Sequence, residues 1–177
     1  MKNTLCEILI SIGIAILVFF GLHFTIQNNI IVGSSMEPGL HNGQWLIVVK
    51  AAYFFGEPQR GDVVTIHMPG EKLPLIKRII AIPGDTVEIR NSTVYVNGKA
   101  LQEPYIKEAP RYSYSKTIVP LDNYFVLGDN RNISRDSHTG FTIPRQDILG
   151  RASFSTWPPN DIGLVDNYPL SEQMATP

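Results

Sequence analysis

Leu75-Ile76-Lys77-Arg78-Ile79-Ile80-Ala81-Ile82-Pro83-Gly84-Asp85 sets two adjacent cations inside an otherwise apolar run that ends on a turn signal. A short run rich in β-branched residues and closed by Pro-Gly fits a strand. Alternate side chains of a strand share a face. Leu75, Lys77, Ile79 and Ala81 are therefore expected to point one way, and Ile76, Arg78, Ile80 and Ile82 the other. Each face is apolar apart from one cation, the pattern of a strand covered on both sides. A lysine so placed either runs its stem out to water or loses its proton. Taken by itself, the segment favours two strand-end cations reaching solvent, because lysine is seldom buried. For Lys77 to act instead as a general base, its pKa has to fall by about 2–3 from a reference of about 10.4.

The neighbouring segments carry the same strand signal. Gln44–Lys50, Asp62–His67, Thr86–Arg90, Thr93–Val96 and Tyr124–Leu127 each read as a strand. Asn97-Gly98 and Gly128-Asp129-Asn130 read as turns, and Asn91-Ser92 links two strand-like runs as a hairpin. The fold class is mostly β: a barrel-like domain with few short helices. Glu103–Val119 is rich in Pro, Tyr and Lys, lacks a clear period, and is placed in an extension. The tail from Pro158 onward is polar and carries no motif.

At the N-terminus, Ile8–Ile26 (ILISIGIAILVFFGLHFTI) contains no Asp, Glu, Lys or Arg. About 20 apolar residues suffice to cross a bilayer as a helix. This run is longer than the roughly 7–15-residue core of a cleavable signal peptide, and only a weak cleavage-like triplet, Val32-Gly33-Ser34, follows it. A retained, single-pass transmembrane anchor in contact with membrane lipid is expected. Lys2 precedes the run and the next Lys or Arg is Lys50, which predicts a cytoplasmic N-terminus and an extracytoplasmic remainder at the cell membrane. His23, at the end of the run, reads as an interfacial or protein-facing group. Tyr53-Phe54-Phe55 reads either as a patch dipping into the headgroups or as ordinary core aromatics.

Composition limits the function classes. The chain has 177 residues, enough for a domain with a core, and a net charge of −1. No basic stripe is available for a phosphate backbone, so nucleic acid is not expected as a partner. Cys6 is the only cysteine, so no intrachain disulfide can form. Neither a metal nor an organic cofactor is expected, since no His-Glu-x-x-His, phosphate-loop or dinucleotide fingerprint occurs.

Two further segments stand out. Ser35 lies in Gly33-Ser34-Ser35-Met36-Glu37-Pro38-Gly39, an irregular loop of a kind that displays functional groups on a rigid scaffold. Alone, it reads as a turn serine serving backbone groups. Gly128-Asp129-Asn130-Arg131-Asn132-Ile133-Ser134-Arg135-Asp136-Ser137-His138 packs polar groups directly behind the apolar Tyr124–Leu127. Alone, it reads as a hydrogen-bonded turn, which can also position a site.

Four co-ordered stretches behind an apolar N-terminal helix resemble type I signal peptidases, the membrane-bound Ser-Lys proteases that remove signal peptides from exported proteins. The stretches are Ser35-Met36-Glu37-Pro38; Arg60-Gly61-Asp62-Val63-Val64; Lys77 through Asp85; and Gly128-Asp129-Asn130-Arg131 with Asp136-Ser137. The likeness spans residues 8–155. It implies a serine endopeptidase cutting precursor proteins after small residues, at sites of the Ala-x-Ala kind. Ser35 would be the nucleophile and Lys77 the general base. The Ser35 N–H would be an oxyanion donor, and Ser134 would hydrogen-bond and orient the lysine amine. Asp129, Arg131 and Asp136 would hold the site together, and Ile31, Met36, Leu40, Leu75 and Ile76 would line the apolar pockets before the cut. The chain would divide into a cytoplasmic N-terminus (1–7), the anchor (8–26), a catalytic β domain (27–85 and 124–157), an inserted β extension (86–123) and a C-terminal tail (158–177).

The sequence departs from the family pattern at four places. Gly39 stands where threonine is frequent and Gln44 where an acid is usual. Gly33 offers no hydroxyl to an oxyanion, and His138 replaces a common arginine, which puts its ion pair with Asp136 in question. Three rival readings remain. A histidine-based triad could draw on His41, His67 or His138 with Asp62 or Asp136, though their spacing does not favour it. Ser-Lys autoproteases of the SOS response need a DNA-binding part and an Ala-Gly or Cys-Gly cut site, and both dipeptides are missing here. A membrane-anchored β domain could also bind partners without catalysis.

Overall fold

The computed structural model describes residues 2–174; Met1 of the N-terminal segment and residues 175–177 of the tail lie outside the described residues. Helix α1 (Lys2–Thr25) passes without a linker into β1 (Ile26–Ile30). Then come β2 (Trp45–Val49), β3 (Val63–Ile66), β4 (Leu75–Ala81), β5 (Thr86–Arg90), β6 (Thr93–Val96), β7 (Lys99–Ala100), β8 (Tyr114–Ile118), β9 (Asn123–Leu127), β10 (Ile143–Pro144), β11 (Ile148–Trp157), β12 (Gly163–Leu164) and the short helix α2 (Leu170–Met174). The protein is mostly β. The larger sheet is an open half-barrel of eight strands in the order β1-β2-β11-β3-β4-β9-β10, with β12 added to β11. Residues between β4 and β9 form a second sheet of four strands, β7-β6-β5-β8.

In α1, Cys6–Thr25 is long and apolar enough to cross a membrane, and its apolar side chains, including Leu17, Phe19 and Phe24, face outward. The helix stops one residue short of the expected Ile26. From there Ile26–Ile30, which joins the last residue of the expected anchor to the start of the expected β domain, pairs antiparallel with β2.

Strand β4 touches all three core clusters. Ile80 and Ala81 join Val87, Ile89, Phe125 and Leu127 between the two sheets. Ile76 lies with Ile31, Met36, Leu46 and Val63, and Ile79 lies with Val64, Ile66 and Val126. The face assignment holds as far as Ile79 and then inverts. A register shift against β9 between Ile79 and Ala81 sets Ala81 with Ile80, while Ile82 returns to the side of Ile79. A bulge adds one residue and so exchanges the faces beyond it.

The two cations do not reach solvent. Lys77 is 4% and Arg78 3% exposed, because β4 is paired on both edges, with β3 and β9, and covered on both faces. The hairpin at Asn91-Ser92 forms with both residues at positive φ, as a tight turn between right-twisted strands requires. Strand β11 has no counterpart in the sequence reading although it is the longest strand and pairs with β2, β3 and β12. It buries Ile148, Gly150, Ala152 and Ser155, residues too small or polar to register as an apolar alternation, and two of its ladders are interrupted by register shifts. The aromatic triplet splits. Tyr53 is half-buried and donates to Asp62 Oδ2 at 2.8 Å, while Phe54 and Phe55 are exposed.

Gly61 is fixed by its surroundings. It has φ +95°, and a Cβ there would overlap the Tyr168 carbonyl. Gly61→Ala is expected to cost more than about 2 kcal/mol of stability, seen as a lowered midpoint in thermal or chemical denaturation.

Candidate active site

Lys77 projects from β4 at the pair with Val64 and donates from Nζ to Ser35 Oγ at 2.7 Å and to the Ile76 carbonyl at 3.1 Å. No carboxylate contacts the amine. Burial pulls its pKa down to about 8, while the fields of Asp136 and Asp129 act weakly in the opposite direction. Desolvation prevails because the ammonium loses water and gains only neutral partners. An amine held in this way can take the hydroxyl proton near neutral pH and so make the oxygen a nucleophile.

The Ser35 loop is pinned from the turn that follows β9. The Asn130 N–H donates to the Ser35 carbonyl at 2.9 Å, and Asn130 Nδ2 donates to the Ser34 carbonyl at 3.1 Å. Met36, almost fully buried, anchors the loop in the core beneath. The loop also closes on itself, with the Leu40 N–H donating to the Met36 carbonyl at 3.0 Å, so Gly39 leaves it hydrogen-bonded. The Ser35 N–H donates to no protein group among the described residues and is free for a ligand oxygen. The Gly33 N–H is taken by Asn42 Oδ1 at 2.8 Å.

Arg78, on the opposite face of β4, clasps Asp129 through two bonds of 2.9 and 2.8 Å. It also donates to the carbonyls of Gly61 and Asp166, and its guanidinium lies 4.1 Å from the centre of the Tyr105 ring. Fully buried Arg131 donates to both carboxylate oxygens of Glu103 and, at 3.0 Å, to the Gly128 carbonyl. Asp136 accepts from the Gly128 N–H at 2.8 Å and contacts His138 Nδ1 at 2.6 Å. Histidine therefore keeps a hydrogen-bonded contact with Asp136 in place of arginine, and its ring is stacked on Tyr112. Gln44 uses its amide where an acid could not: it accepts from the His41 N–H and donates to Asp161 Oδ2 at 2.7 Å.

Two expectations are corrected. Ser134 does not hydrogen-bond Lys77. Its Oγ is buried without a hydrogen-bond partner and packs against Gly128, while the amine is directed at Ser35 and Ile76. Leu40 does not line the cavity at Ser35. That cavity, about 40 Å³, is bounded by Ile31, Val32, Ser35, Met36, Pro74, Leu75, Ile76 and Lys77. Leu40 packs in the core on Met36 and borders a separate cavity beside Arg78. Arg78, Glu103 and Asn130 have no role in the sequence reading. The signal for Arg78 was the absence of any water-facing side on its strand; Glu103 and Asn130 act through contacts distant in sequence.

None of His41, His67 and His138 bonds Ser35. Among the described residues, no group of three or more His, Cys, Asp or Glu is placed to hold a metal.

A hydroxyl paired with a buried amine on a β scaffold has the character of a serine hydrolase. A model of the signal peptidase family, peptidase S26, matches residues 3–157. Signal peptidase I of Leptolyngbya laminosa is 40% identical over 177 aligned residues, covering 94% of this chain and 87% of that protein. Signal peptidase I of Bacillus amyloliquefaciens is 39% identical, covering 88% of this chain and 84% of that protein. Among solved structures, a signal peptidase I from Enterococcus faecalis V583 is 32% identical, covering 55% of this chain and 97% of that one, with a TM-score of 0.48. The chain belongs to the signal peptidase family, peptidase S26, and is a serine protease.

Gly128 faces the Ser35 carbonyl and the Ser134 side chain so closely that a Cβ would overlap both. Gly128→Ala is expected to displace the loop and lower kcat/KM by about 10²-fold, read in a peptide-cleavage assay. Arg78→Met strands the Asp129 carboxylate and is expected to cost about 3–5 kcal/mol in denaturation, a loss partly recovered by Asp129→Leu in the same chain.

Proposed function

We propose that this protein is a membrane-anchored endopeptidase that removes N-terminal signal peptides from exported precursors, with Ser35 as nucleophile and Lys77 as general base. The observation that carries this reading is the 2.7 Å bond from the buried Lys77 amine to Ser35 Oγ. Neutral Lys77 takes the Ser35 proton as the oxygen attacks the scissile carbonyl. The unengaged Ser35 N–H meets the developing oxyanion, an interaction typically worth about 3–4 kcal/mol per donor. Lys77 then returns the proton to the leaving amine. Water attacks the ester while giving a proton to Lys77, and Lys77 passes that proton to the departing Ser35 Oγ as the acyl–oxygen bond breaks, which releases the carboxylic acid and restores both the hydroxyl and the neutral amine.

The remaining residues act by positioning. Asp129 holds Arg78 at the back of the strand that bears Lys77. Arg131 and Asp136 fix Gly128, and Ser134 packs against it, so the loop carrying Ser35 has a rigid floor. The small cavity beside Ser35, apolar at Ile31, Met36, Leu75 and Ile76, suits a small residue such as alanine before the cut.

Location follows from α1. With α1 in the bilayer and its N-terminus in the cytoplasm, Ser35 stands at the outer surface. A precursor tethered by its own apolar segment presents its cleavage site there, and two tethered partners meet at raised effective concentration. The exposure of Phe54 and Phe55 supports their entry into the headgroup layer. Residues 86–123 serve as an extension of the catalytic body.

Incubation of the full chain in detergent or vesicles with a precursor bearing an Ala-x-Ala site, followed by sequencing of the new N-terminus, tests the reading. Wild type should cut after the second alanine, and Ser35→Ala and Lys77→Ala should each lose at least about 10³-fold. Undiminished cutting by either variant would remove that residue from its role. The base works only when unprotonated, so the rate should rise about tenfold per pH unit below about 8 and level off above it.

A further inference from the structure

We infer that Asn167 is a positioning residue for the active-site strand, and that the segment from Gly163 to Met174 is the strap that sets it. This rests on Lys77 being the catalytic base. The segment lies beyond the residues matched by the family model, 3–157, and reads in the sequence as motif-free.

The strap leaves β12 and crosses the back of the site. β11 and β3 are paired at Ile148 with Ile66, Gly150 with Thr65 and Arg151 with Val64. The next pair would be Ala152 with Val63, and there the ladder opens. The Asn167 side chain fills the opening: its Oδ1 accepts from the Val63 N–H at 2.7 Å and its Nδ2 donates to the Ala152 carbonyl at 3.0 Å. A side-chain amide here replaces a backbone peptide and carries the ladder one step further. A third bond, to its own Val165 carbonyl at 3.1 Å, fixes the rotamer.

The consequence reaches the base through one layer of strand pairing. Val63 pairs with Arg78 and Val64 with Lys77. The strap takes hold of Arg78 as well, through the Asp166 carbonyl at 2.8 Å. Beyond Asn167, Tyr168 packs on Tyr105, the ring beneath the Arg78 guanidinium, and its carbonyl occupies the space that forces residue 61 to be glycine. Leu170 is fully buried between the sheets, and Gln173 exchanges two hydrogen bonds with the Gln102 backbone. Without Asn167, water can enter at Val63 and β3 is free to shift, which rehydrates the Lys77 amine and makes it harder to deprotonate.

The test is the pH dependence of kcat and KM for precursor cleavage by the full chain in vesicles, comparing wild type with Asn167→Leu and Asn167→Asp. Leucine has similar volume but makes no hydrogen bond. Aspartate keeps the bond from Val63 but sets a carboxylate against two carbonyls, so it serves if the leucine variant does not fold. Both variants should move the midpoint of the kcat profile upward by about one pH unit, lower kcat about tenfold at neutral pH, and leave KM near the wild-type value. A wild-type midpoint and kcat in either folded variant would overturn the positioning role. A wild-type profile with no inflection near pH 8 would instead remove the Lys77 reading on which it rests.

Discussion

The site depends on how one buried strand settles two adjacent cations. Arg78 and Lys77 leave β4 on opposite faces, and both are almost without solvent. A guanidinium does not give up its proton in a protein, so burying it demands partners; the Asp129 carboxylate, the carbonyls of Gly61 and Asp166 and the Tyr105 face supply them. An ammonium can discharge instead. It is given a hydroxyl and a carbonyl but, among the described residues, no contacting anion, and burial lowers its pKa to about 8, which suits it to the base role proposed for it. The difference between structural cation and reactive amine is therefore a difference in what each face of β4 meets.

Around this strand, the polar segment after β9 acts as a frame. Glu103 reaches from the loop between β7 and β8 to Arg131, Arg131 holds the Gly128 carbonyl, and Asp136 holds the Gly128 N–H. Asn130 then secures the carbonyls of Ser34 and Ser35. The Ser35 loop thus owes its shape to residues nearly 100 positions away, and the segment between β7 and β8 supports it through Glu103 and through Lys107, which pairs with Glu37. Buried charge networks of this type cost desolvation energy and are costly to break once formed.

Much of this was legible in the sequence, for definite reasons. Thr86–Arg90 and Thr93–Val96 alternate cleanly and are separated by two turn residues, so their hairpin appears with the expected limits. The pairing of Lys77 with Ser35 emerged from ordered motifs, whereas the lysine segment alone favoured a side chain at water, which its burial overturns. What stayed hidden depends on tertiary placement. Strand β11 buries glycine, alanine and serine, which carry no hydrophobic period. The bulge that turns Ala81 away from Lys77 is a register effect against β9. Asn167 looks like any polar tail residue until its amide is seen between Val63 and Ala152. The Ser134 contact, expected at the amine, is made with Gly128.

Helix α1 runs into β1 without an intervening loop, and β1 is the edge strand of the half-barrel. No loop stands between helix and body to serve as a swivel. On the proposed reading, with α1 embedded in lipid, the height of Ser35 above the bilayer would be set by this junction, a gauge against which the end of a precursor's own hydrophobic stretch would be measured.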